Sequence, residues 1–418
     1  LNGQPLRSAV PEVVTLAQRL RQEGFVTAEA GKVLHEPDPL SWMERQPPGR
    51  DPEPPGRPIN GLDSDRFFDW GPLDQPASSL SDYRVTEWTA QWLARRGDEP
   101  FFLAVGLSKP HLPWFVPREY FEALPDAGVR LPEVLEGDLD DVPRGRAINI
   151  ADPEGDHRLV LEHGLWPQAV ASYLASVHFA DAMVGRLLDA VEASPAADRT
   201  IVILWSDHGF HLGEKEHWRK STLWEEGTRV PLFISAPGVT TPGTVCPRPA
   251  SLLDLYPTVL DLVGLPAQPV LAVASADPGS GGPTGLLPEG KSLVPWLKSP
   301  QLESAGPVLS MLRRDFSVRT ERWRYTDYVG TGEELYDHAN DPHEWTNLAS
   351  DPALESTRQE LSRFIPTDFA PDGPRAQRPP EDGPMPSKAS EHPTGSENPE
   401  RSEPGKRANP DQPSNPKR

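Results

Sequence analysis

Cysteine is almost missing from this chain, with Cys246 alone among 418 residues. A single thiol excludes a disulfide framework within the chain and any cysteine-rich zinc module, and it leaves the redox compartment unread. Basic residues are scarce too: 41 Lys and Arg stand against 62 Asp and Glu, for a net charge of −21. That balance argues against nucleic acid or an anionic membrane surface as the main partner. No apolar run approaches the roughly 20 residues needed to cross a bilayer. Hydrophobic content is only 36% while prolines number 51, more proline than a packed domain uses, so part of the chain is expected to lie outside any core. The first residue is Leu1, and no charged-then-apolar leader precedes the first helical pattern. The sequence is therefore silent on a secretory signal and on localisation.

What is present is an alternation of helical and strand patterns. The most informative stretch is the β-branched run Ile201-Val202-Ile203-Leu204-Trp205, which empties into Ser206-Asp207-His208-Gly209. Continuous apolar runs are the mark of parallel-sheet strands, and ligands sit beyond the carboxyl ends of such strands, so a buried parallel strand is expected there. Earlier, Val14, Leu16, Ala17 and Leu20 space a short helix, Gly24 ends it, and Phe25-Val26-Thr27-Ala28 reads as a strand opening into Gly31-Lys32-Val33-Leu34-His35. A helix is expected over 81–96, then the strand Phe101-Phe102-Leu103-Ala104-Val105-Gly106, which leads into Ser108-Lys109-Pro110-His111. Tyr173 through Val191 carry a long amphipathic pattern. Val230 to Ser235 read as a strand with Pro231 best placed at its start, because proline has no N–H for a ladder, and a helix follows over about 250–263.

The pattern changes after residue 300. Phe316 to Thr320, Trp323 to Thr326 and Glu334 to Tyr336 are short strands separated by turn residues, followed by a helix over about 352–364. The expected class is α/β: a mostly parallel central sheet flanked by helices, with a small C-terminal antiparallel sheet plus helix. Three regions are expected: an α/β domain over 1–300 with a flexible Pro- and Gly-rich insertion at about 266–290, an α+β subdomain over 301–366, and a disordered polar, Pro-rich tail over 367–418.

The chemistry-bearing residues fall at strand ends. Lys32 and His35, Lys109 and His111, and Asp207 and His208 each follow one of three strands expected to run parallel, and Lys220 lies in the connection after the third. Gathered at one sheet edge, these cations and imidazoles would form a pocket for an anion in an otherwise acidic protein. Each residue also has a plainer reading. A lysine after a strand is commonly solvated, His35 and His111 can be packed loop histidines, and an Asp closing a strand is commonly a turn or helix cap. His217 and Trp218 read as a surface aromatic cluster, and Cys246 as an incidental thiol.

These motifs, in this order, resemble the sulfatases of the alkaline-phosphatase superfamily, most closely the iduronate-2-sulfatase-like branch. The resemblance spans most of residues 1–365 and is carried by Gly31 to His35, by Phe101 to Gly106 with Lys109-Pro110-His111, and by Ser206 to Gly209 with Trp218-Arg219-Lys220. Ser251 to Thr258 and Glu334 to Asp337 with Asp341-Pro342 extend it. It implies hydrolysis of a sulfate ester, of a sugar or glycan, by a formylglycine nucleophile and a divalent cation, usually Ca2+. By position, Asp207 and His208 correspond to metal ligands, Lys32 and Lys220 to sulfate-neutralising residues, and His35 and His111 to groups at the leaving oxygen or the nucleophile. Lys109 corresponds to a substrate-binding residue.

The sequence also departs from that pattern. Formylglycine is made from the Cys of Cys-x-Pro-Ser-Arg, and no such motif occurs here, since Cys246-Pro247-Arg248-Pro249 does not fit it. The paired aspartates of the family's first strand are also missing, so the chain reads as a sulfatase lacking its first catalytic segment, inactive as given. Two other readings stay open, a non-catalytic binder of sulfated glycans and a related phosphodiester or phosphonate hydrolase.

Overall fold

A computed structural model describes residues 6–125, 128–272, 285–303 and 306–367. The strands run in chain order as β1 (Val26–Gly31), β2 (Glu44–Gln46), β3 (Trp70–Leu73), β4 (Phe101–Gly106), β5 (Trp114–Pro117), β6 (Val202–Trp205), β7 (His211–Leu212), β8 (Trp218–Arg219) and β9 (Leu232–Ser235). Then come β10 (Leu271–Ala272), β11 (Gly285–Leu286), β12 (Val308–Leu312), β13 (Asp315–Arg319), β14 (Trp323–Tyr328) and β15 (Gly332–Asp337). The tail past residue 367 and residues 273–284 of the insertion lie outside the described residues. The described parts of that insertion pair as β10 and β11.

The parallel sheet has the order β2-β1-β4. β1 and β4 run in register from Val26 opposite Phe101 to Gly31 opposite Gly106. Their ends can close on each other only because both last residues are glycine: a Cβ on Gly106 would sit 2.0 Å from the Lys32 carbonyl oxygen. The Lys32 N–H donates to the Gly106 carbonyl at 2.9 Å, which fixes where the chain leaves the sheet with Lys32. Helix Ser81–Ala94 covers this sheet by burying Trp92 and Leu93 against Ala28, and the long helix Trp166–Glu192 packs at the start of that helix through Phe179 and Met183 with Leu80. A second parallel pair, β3 with β5, lies beside that long helix; its proline-bearing strands escaped the sequence reading.

β6 departs from expectation. It joins neither β1 nor β4, and pairs antiparallel with β9, Val202 opposite Ser235 through Trp205 opposite Leu232. The reason is the connection between them, which folds into the β7–β8 hairpin and the short helix Glu225–Thr228 before returning alongside β6. Nor is the strand buried as a parallel one would be: Trp205 is 46% exposed and Phe233 on β9 is 63% exposed. Pro231 stands just before β9, outside the ladder.

The C-terminal sheet is the antiparallel meander β12-β13-β14-β15. Alternation along its strands splits two faces. Val318, Tyr325 and Leu335 bury against Leu361 of helix Glu355–Ser362, while Tyr328 and Tyr336 bury against Trp224 of the β8–β9 connection. The same face carries Arg324, whose buried guanidinium pairs with both Glu344 and Glu225. It also donates to the Leu223 carbonyl at 3.0 Å and the Ser317 hydroxyl at 3.0 Å. The indole N–H of Trp224 donates to Glu334 at 2.9 Å. Nearby, buried Lys215 bonds Asp138 at 2.7 Å and the Glu344 carbonyl. Removing one partner from a buried charge network costs about 3–5 kcal/mol. Arg324→Ala is expected to lower the stability of the chain by that order, read as a fall in the urea midpoint, and Lys215→Ala by a similar amount.

Candidate functional site

Three segments bring their side chains together at the end of the parallel sheet. The first is the loop after β4. Buried Asp82, in the first turn of helix Ser81–Ala94, accepts the N–H groups of Ser108 at 2.9 Å and Lys109 at 2.8 Å. The Trp114 indole N–H closes the loop on the Pro110 carbonyl at 2.9 Å. So held, His111 donates its Nδ1–H to the Leu112 carbonyl at 2.6 Å, since a carbonyl can only accept, and its Nε2 lone pair is left facing outward.

The second segment is Ser206 to Gly209 after β6. Gly209 lies so close to helix Glu225–Thr228 that a Cβ there would be 1.8 Å from the Glu226 carbonyl oxygen, and its N–H donates to Gly227 at 3.0 Å. His208 again turns Nδ1 to a carbonyl, that of Gly209 at 2.8 Å, freeing Nε2. The third is Lys220, just past β8. Its neighbours Arg219 (φ 78°) and Ser221 (φ 73°) both occupy the left-handed region that non-glycine residues rarely adopt. Arg219 is tied there by Asp156 and by Asp65 at 2.7 Å, and buried His217 sits between the carbonyls of Ala151 and Lys220.

The result is one ammonium between two imidazoles. Lys220 Nζ lies 2.9 Å from His208 Nε2 and 3.2 Å from His111 Nε2. Burial pushes His111 down to about 4; the hydrogen bond to the Leu112 carbonyl opposes the shift, and the positive charges of Lys220 and Lys32 add to it. Burial also lowers Lys220, with Lys32 adding to the shift and Asp207 opposing it. The exposed Lys32 and Asp207 are therefore both within electrostatic reach of this ammonium.

Five of the seven residues read from the sequence thus share one neighbourhood: Lys32, His111, Asp207, His208 and Lys220. His35 does not join them, being exposed and without a hydrogen bond or ion pair among the described residues. Lys109 is turned away. Its buried ammonium donates to the Pro113 carbonyl at 2.5 Å, and burial depresses its pKa, so the structure places it as a brace of the His111 loop. His217 and Trp218 are buried too, in contrast to the surface cluster expected. The Lys220 ammonium set between two imidazole nitrogens, with Lys32 within electrostatic reach, makes a cationic cluster suited to a tetrahedral oxyanion.

A family model described as Sulfatase matches residues 8–265. The chain belongs to the sulfatase family. It is 30% identical to a sulfatase of Formosa agariphila over 86% of this chain and 70% of that one. With human iduronate 2-sulfatase it shares 28% identity over 76% of this chain and 70% of the relative. Among solved structures, a phosphonate monoester hydrolase from Silicibacter pomeroyi superposes with a TM-score of 0.66 at 21% identity, covering 87% of this chain and 80% of that one. BT4656, solved with its substrate D-glucosamine-2-N,6-O-disulfate, gives 0.60 at 20% identity, over 84% and 80%. These neighbours establish the alkaline-phosphatase-like fold.

The sulfatase family uses a divalent cation, and Asp207 fits part of such a site. The Asp207 side chain is 82% exposed, has no lysine or arginine paired to it among the described residues, and lies 3.7 Å from His208 Nε2. A hard cation such as Ca2+ takes six to eight oxygen ligands, so Asp207 fits as one contributor to a shell, while the single Nε2 lone pair of His208 is held by Lys220. Glu225, His338 and Glu344 also cluster tightly. There, however, Arg324 holds both carboxylates, Arg319 lies 3.2 Å from Glu225, and His338 donates to Glu344 at 2.8 Å. That cluster is an ionic core whose oxygens are already taken.

Sequence reading missed Asp82, Lys215 and His211. Asp82 reads as an ordinary first-turn acid and Lys215, inside Glu214-Lys215-Glu216, as solvated; only burial reveals either. His211 is fully buried, with Nε2 2.7 Å from the Thr222 hydroxyl. Burial pushes it down to about 3, with neighbouring His217 adding to the shift. Below the unfolded value of about 6.5 the unfolded chain takes up a proton that the native chain refuses. Stability is therefore expected to fall by about 1 kcal/mol per pH unit from 6.5 downward on this account. Unfolding free energies measured between pH 7 and 5 test this, and His211→Gln should flatten the slope.

Proposed function

We propose that this chain binds a sulfate ester through its sulfate group and belongs to an enzyme that hydrolyses such esters on a sugar or glycan. The observation that carries the reading is the Lys220 ammonium directed at the Nε2 atoms of His111 and His208. Two of its three N–H bonds are aligned by neutral acceptors, and the third is left for a sulfate oxygen. Lys32 adds a second positive charge. Departure of the sugar oxygen requires a proton, and the depressed pKa of Lys220 makes it the better donor. His111, with its lone pair on the same ammonium, is placed to relay a proton in either direction. Lys109 is assigned to support of the loop that carries His111. Asp207 is the carboxylate this chain gives to a divalent cation, which when bound would add positive charge against the sulfate oxygens; His208 joins it only by releasing Lys220 from its single Nε2 lone pair.

The nucleophile has no source among these 418 residues, because Cys246 is exposed and stands outside any formylglycine motif. The expected behaviour of the purified chain is saturable binding of inorganic sulfate by calorimetry, weakened at least tenfold in Lys220→Ala, with no turnover of an aryl sulfate. Absence of saturable binding would overturn the reading of the site. Turnover that vanishes in Lys220→Ala would overturn the statement about the nucleophile. A second reading, hydrolysis of a phosphonate or phosphodiester, draws support from the likeness to a phosphonate monoester hydrolase, and tighter binding of phenylphosphonate than of sulfate would favour it.

A further inference from the structure

Lys220 also lines a cavity of about 440 Å³, within the roughly 300–1,000 Å³ typical of small-molecule sites. The charges on its wall are unusual for a site that begins at a sulfate-binding lysine. Asp63, Asp65, Asp152 and Asp156 all contribute to the lining, against the cations Arg219 and Lys220. Arg219 is already committed, pairing with Asp156 and with Asp65 at 2.7 Å. Asp63 and Asp152 have no ion-pair partner among the described residues, and both are exposed. The cavity therefore offers carboxylate acceptors, and its guanidinium is occupied.

Resting on the proposal that Lys220 holds the sulfate, we infer that this cavity receives the alcohol portion of the ester, and that it selects a neutral or amine-bearing sugar against a uronate. Sugar hydroxyls meet the wall as donors to the exposed carboxylates of Asp63 and Asp152. A ring amine gains further from the free carboxylates. A uronate carboxylate would face the unpaired carboxylates of Asp63 and Asp152, with the Arg219 guanidinium already bound to Asp65 and Asp156 and Lys220 given to the sulfate. Because Asp63 and Asp152 are exposed, the discrimination is screened by salt.

The test uses three methyl glucoside 2-sulfates that differ only at C5, carrying hydroxymethyl, aminomethyl or carboxylate, with inorganic sulfate as the reference ligand. Binding to the full chain is measured at low and at 0.5 M salt. The expected result is at least tenfold tighter binding of the aminomethyl than of the carboxylate compound, with the hydroxymethyl compound between them. The gap should shrink at high salt, and fall below threefold in the Asp63→Asn/Asp152→Asn double variant with inorganic sulfate binding unchanged. Sulfate binding with no discrimination among the three sugars, or a gap that survives in the double variant, overturns the inference while leaving the sulfate site standing. Loss of inorganic sulfate binding in the unsubstituted chain overturns both.

Discussion

A guanidinium buried in the C-terminal half holds the functional half in place. Arg324 sits on β14, yet its carboxylate partners Glu225 and Glu344 belong to the β8–β9 connection and to the loop after β15. Desolvating such a group is costly, and the cost is offset only if each donor finds an acceptor. Here the Leu223 carbonyl and Ser317 hydroxyl take the remaining bonds. The segment from His211 to Glu226 is thereby anchored at its far end, and with Lys215 fixed on Asp138 little freedom is left for the turn that presents Lys220. The ionic core shapes a site to which it contributes no ligand.

From that anchor the site follows by local hydrogen bonding. Two histidines on separate loops give their Nδ1–H to a backbone carbonyl and are left with a lone pair facing the same ammonium. The backbone thus sets the tautomers, and the tautomers set where Lys220 can rest. The left-handed conformations of Arg219 and Ser221 are the local cost of that turn, and the Arg219 ion pairs that hold it also remove its charge from the adjoining cavity. One side chain therefore both braces Lys220 and leaves the neighbouring wall acidic.

Much of this was legible in the residues. The strands at Phe101 to Gly106 and at Val202 to Trp205, the long helix before the latter, and the C-terminal meander all announce themselves by period and by turn residues. Lys32, His111, Asp207, His208 and Lys220 stood out because each follows a strand end. Other features were hidden for physical reasons. Asp82 and Lys215 act by being buried, which local sequence does not encode for a charged residue. Lys109 looked like its neighbour His111 but turns inward to the Pro113 carbonyl. The prolines in β3 and β5 masked two short strands whose ladder bonds come from other residues.

By itself, the sequence determined the alternation of helices and strands, the acidic balance and the residues that flank each strand end, because these depend on composition and short-range periodicity. Only the tertiary structure decided that β6 pairs antiparallel with β9, that His111 and His208 converge on Lys220, and that Arg219 is consumed by Asp65 and Asp156. Those outcomes depend on which buried charges find partners across a hundred or so residues of chain, and that is settled only when the whole core closes.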